Sequence, residues 1–207
     1  MTPSASIISL FVGMMAMIFT SPGCGGAKYS AMVKAARSEL SPRAQAQDDL
    51  HKLHLHESLL ADQGFSGLNL SIYVFMERAY MVGHVDNPQQ AEAVLSAAKG
   101  VEGLRSINGY LPVKEASPND STVPNAASDL TVKAEIKSAL ALTAGVVPSR
   151  VNVEVLDGQA VLLGVVSGRD ERLSAEQATK GVKEVKGITN WLLLPEQEYM
   201  SIRSRVL

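Results

Sequence analysis

The chain superposes on itself. Shifted by 81 positions, the step from Gly83 to Gly164, residues 50–111 fall on residues 131–192 without a gap. Leu59 meets Leu140, Gly64 meets Gly145, Val74 meets Val155, Ala79 meets Ala160 and Val85 meets Val166. Further on, Ala97, Lys99, Gly100 and Val101 meet Ala178, Lys180, Gly181 and Val182, and Ile107 and Leu111 meet Ile188 and Leu192. Apolar and turn positions keeping one offset over such a span imply a duplicated folding unit.

The second copy is the cleaner. Val132, Ile136, Ala139 and Leu140 recur at helical spacing behind Ser128 and Asp129, which suit an N-cap. Val151, Val153 and Val155 then alternate with Asn152 and Glu154, the period-two pattern of a strand with one buried face. Asp157-Gly158 predicts a two-residue type I′ hairpin turn, since Gly158 takes positive φ without strain. The following strand, 160–166, is apolar almost throughout and contains Gly164, where a missing side chain marks a bulge or a close backbone approach. Ser167 or Gly168 opens a second helix, with Glu171 placed to reach back as a capping partner. Ala175, Ala178, Val182 and Val185 form its inward stripe, and a third strand sets Ile188, Asn190 and Leu192 opposite Trp191 and Leu193.

The first copy repeats this order. Leu70, Ile72 and Val74 lead to a strand at 80–85 containing Gly83, then to a helix with Pro88 in the favoured first position, striped by Val94, Ala97, Val101 and Leu104. Its turn has Met76-Glu77 in place of Asp-Gly, and its first helix, about 46–61, is less cleanly patterned, so this copy reads as degenerate. The expected class is α+β: two tandem αββαβ domains, each a three-stranded mixed sheet with two helices on one face. Units of this size bury limited apolar area, which favours their packing together. The domains are placed at 46–113 and 128–194, with a Pro-, Ser- and Asn-rich linker at 114–127.

Residues 7–19 form an apolar run too short to span a bilayer comfortably and suited to a signal-peptide core. Residues 1–23 are read as that signal. Cys24, the single cysteine, follows Gly23; this resembles a bacterial lipobox, although Ser21 and Pro22 depart from its pattern, against a plain cleaved signal or an uncleaved anchor. Acylation at Cys24 would leave residues 24–45 as a lipidated spacer, and Gly25, not Asp, follows the cysteine, which by resemblance favours the outer membrane. The tail, 195–207, carries Tyr199, Met200, Ile202, Val206 and Leu207 beside Arg203 and Arg205, and is expected to dock on the second domain or touch a membrane.

A net charge of −2 gives no general attraction to nucleic acid or anionic membrane. No Gly-rich phosphate loop, G-x-S-x-G or H-E-x-x-H occurs, so a catalytic site, a cofactor and a metal are not expected. His51, His54 and His56 lie near Asp48, Asp49 and Glu57, but only His51 and His54 share a helical face, and solvated helix residues are the expectation. Lys99 and Lys180 suit helix C-termini as well as partner contacts.

The doubled order of elements, with Val82-Gly83-His84-Val85 and Leu163-Gly164-Val165-Val166 closing the central strands, resembles the BON (bacterial OsmY and nodulation) domain. Two such domains behind a lipobox resemble the dual-BON outer-membrane lipoproteins. That resemblance implies a non-enzymatic protein on the periplasmic face of the outer membrane that supports envelope integrity and binds anionic phospholipid. It implies a lipid contact on the helix at 129–142, with Leu130, Val132, Lys133 and Lys137 as candidates, although Leu130 and Thr131 stand where an aromatic is expected. Cys24 would carry the anchor, with Gly83, Gly164 and Gly158 as structural glycines. An envelope protein or polymer as the partner, with lipid met only through the anchor, is the alternative.

Overall fold

A computed structural model describes residues 40–60, 65, 68–114 and 123–195. The apolar run at 7–19, Cys24, Gly64 and the tail beyond Pro195 lie outside the described residues. The elements run α1 (Pro42–Leu60), β1 (Ser71–Phe75), β2 (Arg78–Val82), α2 (Pro88–Lys99) and β3 (Ser106–Tyr110), then α3 (Val123–Leu142), β4 (Val151–Leu156), β5 (Gln159–Val165), α4 (Arg169–Lys180) and β6 (Gly187–Leu193). There are two three-stranded sheets, β1-β2-β3 and β4-β5-β6, each with an antiparallel first pair and a parallel second pair. The repeat extends to the register: Ala79 pairs with Ile107 in one sheet and Ala160 with Ile188 in the other, the same residues after a shift of 81.

Each sheet is covered by helices on one face. In the second domain Val132, Ile136 and Leu140 of α3 and Ala175 of α4 pack on Val151, Val153, Val155, Ala160 and Leu162. In the first, Leu55 and Leu59 of α1 and Val94 and Ala98 of α2 pack on Ile72, Val74, Ala79 and Met81. The other faces of the two sheets meet each other: Tyr80 and Val82 are buried with Val161 and Leu163, flanked by Tyr73, Phe75, Trp191 and Leu193. Central strands buried on both sides lose the polar alternation of half-exposed ones. This is why residues 160–166 read as an almost continuous apolar run. The Tyr80 and Trp191 rings lie 5.3 Å apart across the interface, a spacing at which aromatic pairs contribute about 1 kcal/mol beyond area burial.

Asp157 and Gly158 take φ of 54° and 83°, the paired positive values of the type I′ turn expected there. Met76 and Glu77 adopt the same turn, at 51° and 61°. The first copy has lost the dipeptide and kept the conformation, which corrects the reading of that hairpin as degenerate. Two non-glycine residues in this region cost about 1 kcal/mol each. Offsetting contacts are present: the Asp48 carboxylate accepts hydrogen bonds from the Met76 and Glu77 backbone N–H groups, both at 2.9 Å, and the Met76 side chain is fully buried. Asp129, the repeat partner of Asp48, accepts from Asp157 N–H at 2.7 Å and Gly158 N–H at 2.9 Å.

Asp129 therefore is not the N-cap of its helix. It lies a turn and a half inside α3, whose start at Val123 also places helix within the stretch read as linker at 114–127. Likewise α1 starts at Pro42, inside the stretch read as spacer. Both helices run further toward the N-terminus than the apolar spacing indicates, because their first turns carry no regular apolar stripe.

Gly83 and Gly164 are close backbone approaches, as expected. A Cβ on Gly164 would lie 2.0 Å from the Arg150 carbonyl oxygen, and one on Gly83 would lie 2.5 Å from that of Asn69, again a pair related by 81 positions. Asn87 caps α2 by accepting from Gln90 N–H at 2.8 Å, with Pro88 in the first turn.

Glu171 reaches back as expected, accepting from Ser167 N–H and Ser167 Oγ at 2.7 Å each, and also from Val147 N–H at 2.8 Å and Arg150 at 3.1 Å. Burial raises its pKa, but the hydrogen bonds from Ser167 and Val147 and the Arg150 charge outweigh burial and hold the carboxyl below its ordinary value. A lowered folded-state pKa stabilises above the unfolded-state value, and that stability is lost as pH falls through the folded one. Glu171→Gln is thus expected to lower the melting temperature at neutral pH, with the gap to wild type closing on acidification below the carboxylate range. A gap that is constant across pH would show the charge to be irrelevant. Glutamine already holds the equivalent place in the first copy, where Gln90 Oε1 accepts from Asp86 N–H at 2.7 Å.

Candidate functional surface

Helix α3 separates the residues proposed for lipid contact into three environments. Val132 is 2% exposed and belongs to the core of the second domain. Lys133 is committed to an ion pair, its Nζ 2.8 Å from Glu154 Oε2, and Glu154 in turn accepts the hydroxyl hydrogen bond of Tyr73 from the first domain. Burial, followed by the Glu154 hydrogen bond and charge, raises the Tyr73 pKa and keeps that phenol protonated as the donor. Lys133, Glu154 and Tyr73 form a polar bridge between domains, and the Lys52 ammonium stands 5.7 Å from the Tyr73 ring centre.

Leu130 and Lys137 face outward. Leu130 is 69% exposed, Lys137 is exposed, and Ala134 and Ala141 complete the same stripe at spacings of three, four and seven residues. Leu142 at the end of the helix is 85% exposed. The stripe is therefore apolar with one cation, opposite a core face of Val132, Ile136 and Leu140.

A second inter-domain contact joins His84 Nε2 to Asp157 Oδ2 at 2.8 Å, so the residue beside Gly83 meets the hairpin turn of the other copy. Gly158 has positive φ and packs against the Lys186 side chain, whose Nζ donates to Asp157 O at 2.9 Å. Lys99 and Lys180 occupy the last turns of α2 and α4, where a cation meets the carbonyl end of the helix. Cys24 lies outside the described residues.

The three histidines do not converge on one point. His51, buried against Gly103, and His54 line one open cleft, whereas His56 borders a separate recess with Lys52 and Ser71. Asp48, their nearest carboxylate in sequence, is engaged at the Met76-Glu77 turn. Among the described residues no three His, Cys, Asp or Glu side chains form a group suited to a metal ion. The paired turn acceptors Asp48 and Asp129 escaped the sequence reading, although their 81-residue offset was available two positions before the aligned segment began. The Lys133–Glu154–Tyr73 bridge had no such signal, because it depends on how the sheets meet.

The pattern of the BON domain is matched twice, by residues 47–115 and 128–194. The chain is 33% identical over 134 residues to Osmotically-inducible protein Y of Escherichia coli (strain K12), which covers 64% of this chain and 65% of that protein. It thus spans just under two thirds of that relative's length. Superposition on a solved structure of CdsD, a structural protein of the type III secretion system of Chlamydia trachomatis, gives a TM-score of 0.31 at 11% identity, over 75% of this chain and 98% of that one. The C-terminal domain of CdsD gives 0.29 at 14%, over 72% and 67%. The duplicated αββαβ order, the shared register, the paired glycines and the doubled match show that the chain belongs to the BON-domain family and contains two copies of its domain.

Proposed function

We propose that this protein is a non-enzymatic, periplasm-facing lipoprotein, anchored in the outer membrane through Cys24, that supports envelope integrity by binding anionic phospholipid through the outward face of α3. The observation that carries this reading is the exposed stripe of Leu130, Ala134, Lys137 and Ala141 on a helix whose other face is core. Apolar side chains enter the acyl boundary while a cation meets headgroup phosphate, as on interfacial helices. The E. coli relative is named for osmotic induction, which accords with a role in the envelope. Of the four candidate contacts, Leu130 and Lys137 are the pair available to lipid, with Val132 and Lys133 supporting the helix from within.

Co-sedimentation of the Cys24→Ser chain with vesicles tests the lipid contact apart from the anchor. Binding to phosphatidylglycerol vesicles is expected to exceed binding to phosphatidylcholine vesicles. Lys137→Ala is expected to reduce the anionic binding by about fivefold, the effect of one Lys near an anionic surface. Lys133→Ala is expected to act on stability instead. Equal binding to both vesicle types overturns lipid recognition and favours an envelope protein or polymer as the partner. Incorporation of labelled palmitate into wild type and its loss in Cys24→Ala tests the anchor separately.

A further inference from the structure

Helix α1 carries charges set against its own dipole. A helix N-terminus favours a carboxylate and a C-terminus favours a cation. In α1, Arg43 stands in the first turn, which has no acidic residue, and Glu57 stands in the last turn, which has no basic one. They are separated by about 21 Å of helix, too far to pair with each other. Neither makes an ion pair with another described residue.

Midway between them is Leu50, seven residues from each and 56% exposed. A seven-residue step is close to two helical turns, so the three share a face. Ala46, Leu53 and Leu60 repeat the same interval beside them, and Leu53 and Leu60 are 52% and 73% exposed. This stripe lies away from the buried residues of the helix, Asp48, His51, Leu55 and Leu59. It borders an open cleft of about 830 Å³, with Val101 and Glu102 in the opposite wall. Exposed leucines at heptad spacing form the seam of a helix that pairs with another helix.

We propose that the partner is α1 of a second copy of this chain, running antiparallel about a two-fold axis at the level of Leu50. In a two-fold interface, if one residue meets another, the second meets the first in return. Arg43 of each copy then faces Glu57 of the other, and the leucines meet at the centre. Parallel pairing would set Arg43 on Arg43 and Glu57 on Glu57, which is repulsive. The antiparallel pair also gives each charge opposed by its own dipole a counter-charge. An anionic lipid surface is a poorer occupant, because Glu57 and Glu102 both border the cleft. One helix face buries less than the roughly 1,600 Å² of a standard interface, so the dimer is weak and dependent on concentration. The seam is in the first domain and α3 in the second, so this inference does not rest on the lipid reading.

The test is sedimentation velocity over a concentration series of the Cys24→Ser chain, which lacks the lone thiol and cannot dimerise through a disulfide. A monomer–dimer equilibrium in the micromolar range is expected. Arg43→Glu and Glu57→Arg are each expected to weaken it about tenfold, because each turns two attractive pairs per dimer into two repulsive ones. Combined in one chain, they are expected to restore it. Both substitutions suit the helix dipole better than the native residues do, so weakening by either cannot come from fraying of α1. Leu50→Asp is expected to abolish the dimer, and Leu173→Asp, at an exposed position on α4, to leave it unchanged. A chain that stays monomeric to about 1 mM overturns the proposal. So does a dimer indifferent to both single charge reversals, failure of the combined reversal to restore it, or equal loss from Leu173→Asp.

Discussion

Gly164→Ala is expected to destabilise the protein by about 4 kcal/mol, with about 2 from the strained backbone and about 2 from overlap. The added Cβ would lie 2.0 Å from the Arg150 carbonyl oxygen, a backbone atom that cannot rotate away, and φ at this residue is +139°, a region almost confined to glycine. Relief requires β5 to move against β4, yet β5 is the central strand of its sheet and is packed on both faces. Thermal denaturation should show a fall on the order of 10 °C. Gly83→Ala meets Asn69 at 2.5 Å without positive φ, so the smaller loss of about 2 kcal/mol is expected there. Gly168→Ala meets nothing within 4 Å and should be close to neutral. A ranking in which Gly168→Ala costs as much as Gly164→Ala would show that close approach is not the reason for these glycines.

Asp48→Ala is expected to cost about 3 kcal/mol, more than Asp129→Ala, although the two carboxylates make the same pair of hydrogen bonds. The Asp48 side chain is buried, so its removal strands the buried Met76 N–H and takes the partner from Glu77 N–H, and charge-assisted bonds of this kind contribute about 1.5–3 kcal/mol. The turn it holds also has no glycine, whereas in the other turn Gly158 takes one of the two positive φ values without strain. Adding Glu77→Gly to Asp48→Ala should recover about 1 kcal/mol by relieving one of the two positive φ values. Denaturant titration decides the matter. Loss of equal size from Asp48→Ala and from the exposed neighbour Asp49→Ala would remove Asp48 from its role at the turn.

These two positions also separate what was legible from what was not. Gly164 and Gly83 could be located without coordinates, because a glycine within an apolar strand has few explanations and its recurrence at one offset removes coincidence. Glu171 was legible for a related reason: a capping contact spans four residues and depends on local geometry alone. Asp48 was not, since its partners lie 28 and 29 residues away and an Asp in a helix looks solvated until the sheet is placed beneath it. The same applies to the α3 surface. Spacing alone places Leu130, Val132, Lys133 and Lys137 on one short stretch, but only the packed helix puts Val132 inside and ties Lys133 to Glu154.

The duplication, the order of helices and strands in each copy, the Asp157-Gly158 turn and the paired glycines were determined by the sequence itself, because each follows from residues near one another and from a repeat that states them twice. Tertiary structure decided how the copies meet: sheet against sheet, with Tyr80 on Trp191 and Tyr73 on Glu154. It also decided that the Met76-Glu77 turn survives without its glycine. The physical reason is common to both. Burial on the second face of a sheet and the satisfaction of a distant backbone N–H are properties of residues brought together by folding, and no local period encodes them.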